Sequence, residues 1–374
     1  MGSMTLALLY REELKEYDFG PGHPFRGDRF EIFPLFLRKH VPEGDHYRFL
    51  TADRATDEDL ALICDAEYVK FVRAYYQSAR TGLKTPEGYA VYRFLSGDNI
   101  PWGRPGRVEE AARLVVGQAR LAVDLVQEGR YAKVVSIGGG FHHARPNYGE
   151  GFCVYNDVAF AARYALTRYG LERILILDTD AHAGNGTAEY FYADPRVLFV
   201  DLHQDPRTLY PGTGFVQETG TGPGRGYTVN CPLAPGAGWD SYRYVFEEVV
   251  LPLVEEFRPQ LIIRNGGSDP YWNDRLTDLG LTAGDFKEMG ALVRAVAEIC
   301  GGREADLICS GYNEKALPAC WLALISGLAG WEVKVNDPEP VPAWVRPEAR
   351  YAETREMVRE LKRCLRGYWR WAER

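Results

Sequence analysis

Short apolar runs alternate with longer amphipathic stretches along the whole chain. The apolar runs are continuous rather than alternating, which is typical of parallel strands that are covered on both faces. We predict six strands from them: Leu6–Tyr10, Val134–Ile137, Ile174–Leu177, Val197–Val200, Leu261–Arg264 and Leu307–Ser310.

The stretches between these runs have the three-to-four-residue apolar spacing of helices that cover a sheet. The clearest is Val108–Glu128, which has one apolar face and is followed by Gly129 as a stop signal. The other predicted helices are Val154–Arg168, Tyr242–Glu256, Phe286–Ile299 and, near the end of the chain, Thr354–Trp371. This alternation predicts an α/β fold with three layers, α-β-α, around a mainly parallel central sheet.

The pattern continues without an internal repeat or a low-complexity segment, so we expect a single domain over residues 4–374. Residues 1–3 resemble a cloning scar in front of a native start at Met4. The proline-rich stretch Asp337–Pro342 is expected to cross the surface before the last helix.

Composition narrows the class of protein. A formal net charge of −8 argues against a nucleic-acid partner. No apolar run approaches the roughly 20 residues of a membrane helix, so we expect no membrane partner. The seven scattered cysteines include no Cys-x-x-Cys pair, which predicts buried thiols in a reducing cytoplasm.

Polar residues collect directly after the predicted strands. Asp178, Asp180 and His182 follow Ile174–Leu177 at alternate positions, so an extended backbone points them the same way. Buried charges are costly without a partner, and the cluster therefore predicts a catalytic metal site. Taken alone, a single Asp after a strand is more often a helix cap, and a single His is more often structural.

Other strand ends carry residues of the same kind, which are Gly138–His143, Asp201–His203, Asn265–Asp269 and Gly311-Tyr312. Ligands of open α/β sheets bind at the carboxyl ends of the strands, so these residues are expected to meet at one rim. The three consecutive glycines Gly138–Gly140 lack the spacing of the common nucleotide-binding motifs. The joint occurrence of these clusters favours one active site.

These motifs together resemble the histone deacetylase family, and most closely its bacterial acetoin-utilisation-type members, with some class II character. The matching segments, in the family's order, are Tyr17–Arg29, Gly139–Asp157, Leu177–Gly186, Tyr210–Gly214, Gly266–Asp269 and Gly311–Trp321. The resemblance implies an arginase/deacetylase-like fold. It also implies metal-dependent hydrolysis of the amide of acyl-lysine, with release of acetate or another short acid.

The resemblance implies one catalytic Zn²⁺ bound by Asp180, His182 and Asp269, although Fe²⁺ accepts the same ligands. It further implies K⁺ or Na⁺ near the site, held at Asp178, Asp201 and Leu202. Asp201 stands where the family usually has serine. Its extra carboxylate is expected either to favour the cation or to accept a hydrogen bond.

The catalytic roles also follow from the resemblance. His143 would be the main general base and acid, with Asn185 as its partner. His142 would give electrostatic help and pair with Asp178. Tyr312 would help to hold the developing oxyanion.

The resemblance also implies a narrow substrate channel, with Gly151 and Phe152 on one wall and Tyr210 facing them. A weaker match places Asp98 at the rim, next to an apparent one-residue insertion, and Arg29 at the inner cavity.

An acetylated polyamine stays open as the substrate in place of an acyl-lysine protein or peptide. An arginase-like ureohydrolase is disfavoured, because Gly184 stands where the second metal needs an aspartate. A non-catalytic acyl-lysine binder is disfavoured by the presence of Tyr312 and both histidines.

Overall fold

The computed structural model describes residues 5–83 and 85–374. Its centre is one eight-stranded sheet, in the order β2-β1-β3-β8-β7-β4-β5-β6, in which every pair of neighbours is parallel. The strands are β1 Leu6–Leu9, β2 Tyr47–Leu50, β3 Lys133–Ile137, β4 Ile174–Asp178, β5 Val197–Gln204, β6 Thr228–Leu233, β7 Leu261–Gly266 and β8 Glu304–Ile308.

Helices cover both faces of the sheet, which confirms the predicted three-layer α/β fold. They are α1 Arg29–His40, α2 Asp57–Leu60, α3 Ala66–Thr81, α4 Tyr89–Tyr92, α5 Val108–Gln127, α6 Asp157–Arg168, α7 Asn185–Phe191, α8 Trp239–Val245, α9 Leu251–Phe257, α10 Ala283–Ile299, α11 Leu317–Ala329 and α12 Tyr351–Leu365. A π-helical turn, Phe246–Val250, joins α8 to α9, and short 3₁₀ turns lie at Glu12–Glu16, Gly97–Asn99, Gly222–Gly224 and Arg370–Glu373.

Two strands at the opposite edges of the sheet were not predicted. β2 is a four-residue edge strand in which Arg48 is exposed, so its apolar signal is weak. β6 contains Asn230 and Pro232, which interrupt an apolar run. Proline is tolerated there because an edge strand has one side without a hydrogen-bonded neighbour.

Several predicted elements have different bounds in the structure. β5 runs to Gln204 rather than Val200, and the predicted helix Tyr242–Glu256 lies within α8, the π-helical turn and α9, which together run from Trp239 to Phe257. β8 begins at Glu304 rather than Leu307, because the acidic residues at its start are buried inside the sheet. The last helix ends at Leu365 rather than Trp371, shortly before Gly367, whose φ of 84° breaks the helix. The proline-rich stretch Asp337–Pro342 forms no helix or strand, as expected of a crossing segment.

The four central strands, β3, β8, β7 and β4, bring their carboxyl ends to one edge of the sheet. α5 packs against α6 and β3, and α10 packs against α11. The loops after these four strands therefore begin at the edge of a buried core and lie next to one another there. Within the described residues, no helix is both long enough and apolar enough to cross a membrane, and no disulfide links the cysteines.

Candidate active site

Three side chains from two strand ends form a candidate metal centre. Asp180 and His182 follow β4, and Asp269 follows β7. His182 Nδ1 lies 3.0 Å from Asp180 Oδ1 and 3.1 Å from Asp269 Oδ2. One ligand atom from each residue lies within 4.8 Å of the other two, so a single ion can contact all three. One imidazole nitrogen and two carboxylate oxygens suit Zn²⁺ and Fe²⁺.

The electrostatics of this cluster favour a cation. Burial lowers the pKa of His182, but the carboxylates of Asp180 and Asp269 outweigh this effect and raise it to about 10. Burial and the charge of Asp180 raise the pKa of Asp269 to about 8. Two buried carboxylates and an imidazole this close together favour a positive charge between them, which a divalent ion would supply.

Neighbouring groups orient Asp269. Its Oδ1 accepts hydrogen bonds from Ser310 Oγ at 2.7 Å and from the Ala181 backbone N–H at 3.3 Å. The hydroxyl of Thr277 donates to its backbone carbonyl. Its Oδ2 is therefore left to face His182 and an ion.

The tandem histidines follow β3, and each has a separate partner behind it. His142 Nδ1 lies 2.8 Å from Asp178 Oδ2, which also accepts a hydrogen bond from Asn265 Nδ2 at 2.9 Å. His143 Nδ1 lies 2.7 Å from Asn185 Oδ1. The two Nε2 atoms are 3.1 Å apart and therefore point to a common place.

The two imidazoles are driven to opposite protonation states. Burial lowers the pKa of His142, but the carboxylates of Asp178 and Asp180 raise it to about 9. Burial and the positive charges of His142 and His182 hold the pKa of His143 well below its usual range. At neutral pH His142 is charged and His143 is neutral, so a proton acceptor stands beside a fixed positive charge.

A cavity of about 290 Å³ leads to the metal centre and the histidines. Gly151 and Phe152 line it on one side, and Tyr210, whose ring centroid lies 5.1 Å from that of His143, lines it as well. Phe152 has a φ of 65°, which is unusual for a side chain of this size. The Tyr17 hydroxyl donates to the Phe152 carbonyl at 2.6 Å and helps to hold this conformation.

Tyr312 lies at the inner end of the cavity, after β8. Its backbone N–H donates to Asp274 Oδ2 at 2.7 Å, and its ring lies 5.9 Å from that of Phe152. Burial raises the pKa of Tyr312 well above its usual range, although the nearby charge of Arg29 opposes this. Its hydroxyl is therefore a hydrogen-bond donor at neutral pH.

The two remaining matched residues, Asp98 and Arg29, are also near the cavity. Asp98 lines it and accepts a hydrogen bond from the Gly151 backbone N–H at 3.0 Å. The guanidinium of Arg29 donates to the Cys309 carbonyl at 3.0 Å and lies 5.3 Å from the Tyr312 ring. Asp98 thus supports a channel wall, and Arg29 sits behind the tyrosine.

The expectation that Asp201 and Leu202 follow a strand was wrong, because both lie within β5. Asp201 Oδ2 accepts from the Gly184 backbone N–H at 2.9 Å, and Oδ1 lies 2.9 Å from His203 Nδ1. Asp201 thus accepts one hydrogen bond, from the Gly184 backbone N–H. A monovalent cation held with Asp178 stays a prediction.

Sequence reasoning did not assign three polar residues of the site, which are Glu150, Asn265 and Ser310. Asn265 had a readable signal, since it directly follows the predicted strand Leu261–Arg264; in the sheet it pairs with Asp178. Glu150 and Ser310 had none, because their contacts are to residues 35 and 41 positions away in the sequence.

Comparison with known proteins agrees with the fold and the site. A family model described as a histone deacetylase domain matches residues 23–328. A probable deacetylase of Archaeoglobus fulgidus is 35% identical over 374 residues, which cover 98% of this chain and 99% of that protein. The acetoin utilization protein AcuC of Bacillus subtilis is 32% identical over 342 residues, which cover 90% of this chain and 84% of that protein.

The fold also matches a solved structure. The crystal structure of the HDA15 HD domain superposes with a TM-score of 0.82 at 26% sequence identity, covering 99% of this chain and 97% of that one. The predicted arginase/deacetylase-like fold is thereby confirmed. Because the family model spans most of the chain and the relatives align over nearly its full length, the chain belongs to the histone deacetylase family.

Proposed function

We propose that this deacetylase-family protein is a metal-dependent amidohydrolase that removes acyl groups from lysine side chains. The observation that carries the proposal is the convergence of three groups at the inner end of one cavity. These are the candidate metal ligands, a charged and a neutral histidine, and a tyrosine hydroxyl. We also propose that residues 4–374 form one deacetylase domain, since a single sheet includes strands from Leu6 to Ile308.

In this proposal Asp180, His182 and Asp269 hold Zn²⁺, and Fe²⁺ suits the same ligands. When bound there, the ion would polarise the acyl carbonyl and increase the acidity of a water molecule. Ser310 and the Ala181 backbone N–H keep Asp269 turned toward the ion.

The histidines divide the proton transfers between them. His143 is neutral, and Asn185 Oδ1 accepts a hydrogen bond from its Nδ1–H, so Nε2 carries the lone pair that takes a proton from the attacking water; this atom also lies 3.1 Å from His142 Nε2. His143 then returns that proton to the leaving amine of lysine. His142, paired with Asp178, remains charged and stabilises negative charge that develops nearby.

Tyr312 supplies a second stabilising contact. Its protonated hydroxyl donates a hydrogen bond to the oxyanion as the carbonyl carbon becomes tetrahedral. Two contacts hold Tyr312 in place: its backbone N–H donates to Asp274, and its ring packs against Phe152. The side chain therefore needs little reorganisation during the reaction.

The cavity suits the long alkyl stem of an acylated lysine. Phe152 and Tyr210 offer aromatic surface to the stem, and Gly151 leaves room between them and His143. The same stem chemistry occurs in acetylated polyamines, so the substrate class needs its own test.

The catalytic proposal is tested with His143→Ala and a matched control, His40→Ala, at an exposed position in α1. We expect His143→Ala to lower the turnover of an acetyl-lysine peptide by about 10²–10⁴-fold, while metal content measured by elemental analysis persists. His40→Ala should match the wild type in both measurements. Near-wild-type turnover by His143→Ala would contradict the proposed mechanism.

The substrate is tested by comparing kcat/KM for an acetyl-lysine peptide, longer acyl-lysine peptides and acetylspermidine. We expect an acyl-lysine peptide to have the highest value. A higher value for acetylspermidine would instead identify the enzyme as an acetylpolyamine amidohydrolase with the same chemistry.

A further inference from the structure

A chain of polar contacts continues behind His143, beyond the residues that the mechanism uses. Asn185, which accepts from His143 through Oδ1, donates through Nδ2 to Glu150 Oε1 at 2.9 Å. Arg145 Nε donates to the same oxygen at 2.6 Å, and Arg145 Nη1 donates to Glu189 Oε2 at 2.8 Å. Only 14% of the Glu150 side chain is exposed, so water competes weakly for this carboxylate.

An asparagine amide can face its neighbours in two ways, because its oxygen and nitrogen have nearly the same shape. With Oδ1 toward His143, the imidazole must carry its proton on Nδ1, and Nε2 is free to accept. If the amide turned over, Nδ2 would donate to Nδ1, and the proton would move to Nε2. The neutral His143 would then have no free nitrogen directed at the substrate.

Glu150 favours one of these two orientations of the Asn185 amide, in addition to the effect of His142, whose Nε2 lies 3.1 Å from His143 Nε2. An ionised carboxylate only accepts hydrogen bonds, so it pairs with the Nδ2 end of Asn185 and repels the Oδ1 end. Arg145 fixes the carboxylate in position through its charge and its hydrogen bond. We propose that Glu150 is a positioning residue that sets the amide orientation of Asn185 and thereby the reactive tautomer of His143. This inference rests on the proposed function of His143 as the general base.

Two other roles for Glu150 give different results when it is replaced. Its backbone carbonyl accepts from the Cys153 N–H at 2.9 Å, and Gly151 follows it directly, so its side chain could simply support the channel wall. Burial raises the pKa of the neighbouring Tyr210, and the charge of Glu150 raises it further. A second role for Glu150 would therefore be an effect on the substrate at the Tyr210 wall. If Glu150 only supported the channel wall, its replacement would change KM. Neither of these two roles depends on whether the oxygen or the nitrogen of the Asn185 amide faces His143.

The discriminating experiment is a double-mutant cycle of Glu150→Ala and Asn185→Asp in the metal-loaded enzyme. A carboxylate at position 185 has two equivalent acceptor oxygens, so it needs no orienting partner. We expect Glu150→Ala alone to lower kcat by about 10–100-fold with KM changed less than about twofold. In the Asn185→Asp background, Glu150→Ala should leave kcat unchanged or raise it, because two adjacent carboxylates repel each other.

Two further variants serve as controls. Glu189→Ala removes the other carboxylate on Arg145, and the hydrogen bond described for the Glu189 side chain goes to Arg145 rather than to Asn185, so this variant should keep kcat within about twofold of the wild type. Glu150→Gln keeps the shape of the side chain and retains an acceptor oxygen, so its loss of kcat should be smaller than that of Glu150→Ala. An equal loss from Glu150→Ala in both backgrounds, or a change confined to KM, would overturn the proposal.

The tautomer itself can be read by ¹⁵N NMR of the histidine rings, with the His143 signals assigned from His143→Ala. We expect Nδ1–H in the wild type and a substantial Nε2–H population in Glu150→Ala. Retention of the Nδ1–H tautomer in Glu150→Ala would overturn the inference. Because this measurement does not depend on turnover, it remains decisive even if acyl-lysine peptides are not hydrolysed, a result that would count against the proposed function alone.

Discussion

Gly151→Ala is a sharp test of how closely the channel wall fits against His143. A Cβ atom added at Gly151 would lie 2.3 Å from His143 Cδ2 and 2.6 Å from Cγ. Carbon atoms in contact normally stay about 3.5–4.0 Å apart, so the imidazole would have to move by roughly 1 Å. That shift would also stretch the 2.7 Å hydrogen bond between His143 Nδ1 and Asn185.

The size of the effect follows from this displacement. A misplacement of about 1 Å in a catalytic group can cost about 10²-fold in rate, so kcat should fall by about that factor. Alanine at a φ of 59° also carries a backbone cost of about 1–2 kcal/mol in stability, which has nothing to do with His143.

Gly170→Ala separates the two effects. Gly170 has a φ of 63°, and an added Cβ would meet no described atom within 4 Å. We therefore expect Gly170→Ala to lose a similar stability in urea unfolding but to keep the wild-type kcat on an acetyl-lysine peptide. If Gly151→Ala keeps full activity, or if both variants lose activity equally, His143 does not have the role given to it here.

Three further predictions use other parts of the structure. Tyr312→Phe should lower kcat by about 10²–10³-fold with little change in KM, and steady-state kinetics showing full activity would exclude its role at the oxyanion. Asp180→Ala should lower the bound metal per chain in elemental analysis, and unchanged stoichiometry would remove it from the ligand set. For Glu304, burial and then the charge of Asp306 raise the pKa well above 4.5, so the folded protein keeps a proton that the unfolded chain releases. The free energy of unfolding should therefore be highest at low pH and fall as pH rises above about 5 relative to Glu304→Gln, by at most about 1.4 kcal/mol per pH unit, until the pH reaches the folded pKa of Glu304. Equal slopes for the two proteins in urea unfolding from pH 5 to 8 would contradict this.

The sequence predicted the centre of the sheet better than its edges. β4 and β7 are central strands with both faces covered, so their apolar runs are continuous and easily read. β6 is at the edge and tolerates Asn230 and Pro232, which local patterns treat as breaks. The start of β8 was missed because Asp306 is buried as the partner of Arg264, a contact between strands that local patterns do not contain.

The sequence predicted the site residues correctly wherever several polar side chains follow the same strand. Alternation along an extended backbone was enough to bring Asp180 and His182 together, whereas Asp269 required the family resemblance because it comes from another strand. The same alternation places Asp201 and His203 on one face of β5, where Oδ1 and Nδ1 lie 2.9 Å apart. Glu150 gave no such signal, since it lies in a polar loop and its contact to Asn185 depends on how the chain folds back.

We propose that this chain hydrolyses acyl-lysine with a metal held by Asp180, His182 and Asp269. The most direct measurement is acetate release from an acetyl-lysine peptide before chelation, after chelation, and after Zn²⁺ or Fe²⁺ is restored. We predict one acetate for each lysine freed, loss of release on chelation, and recovery with the added ion. Release that continues unchanged in the chelated protein, or no release from the fully metal-loaded protein, would contradict the account.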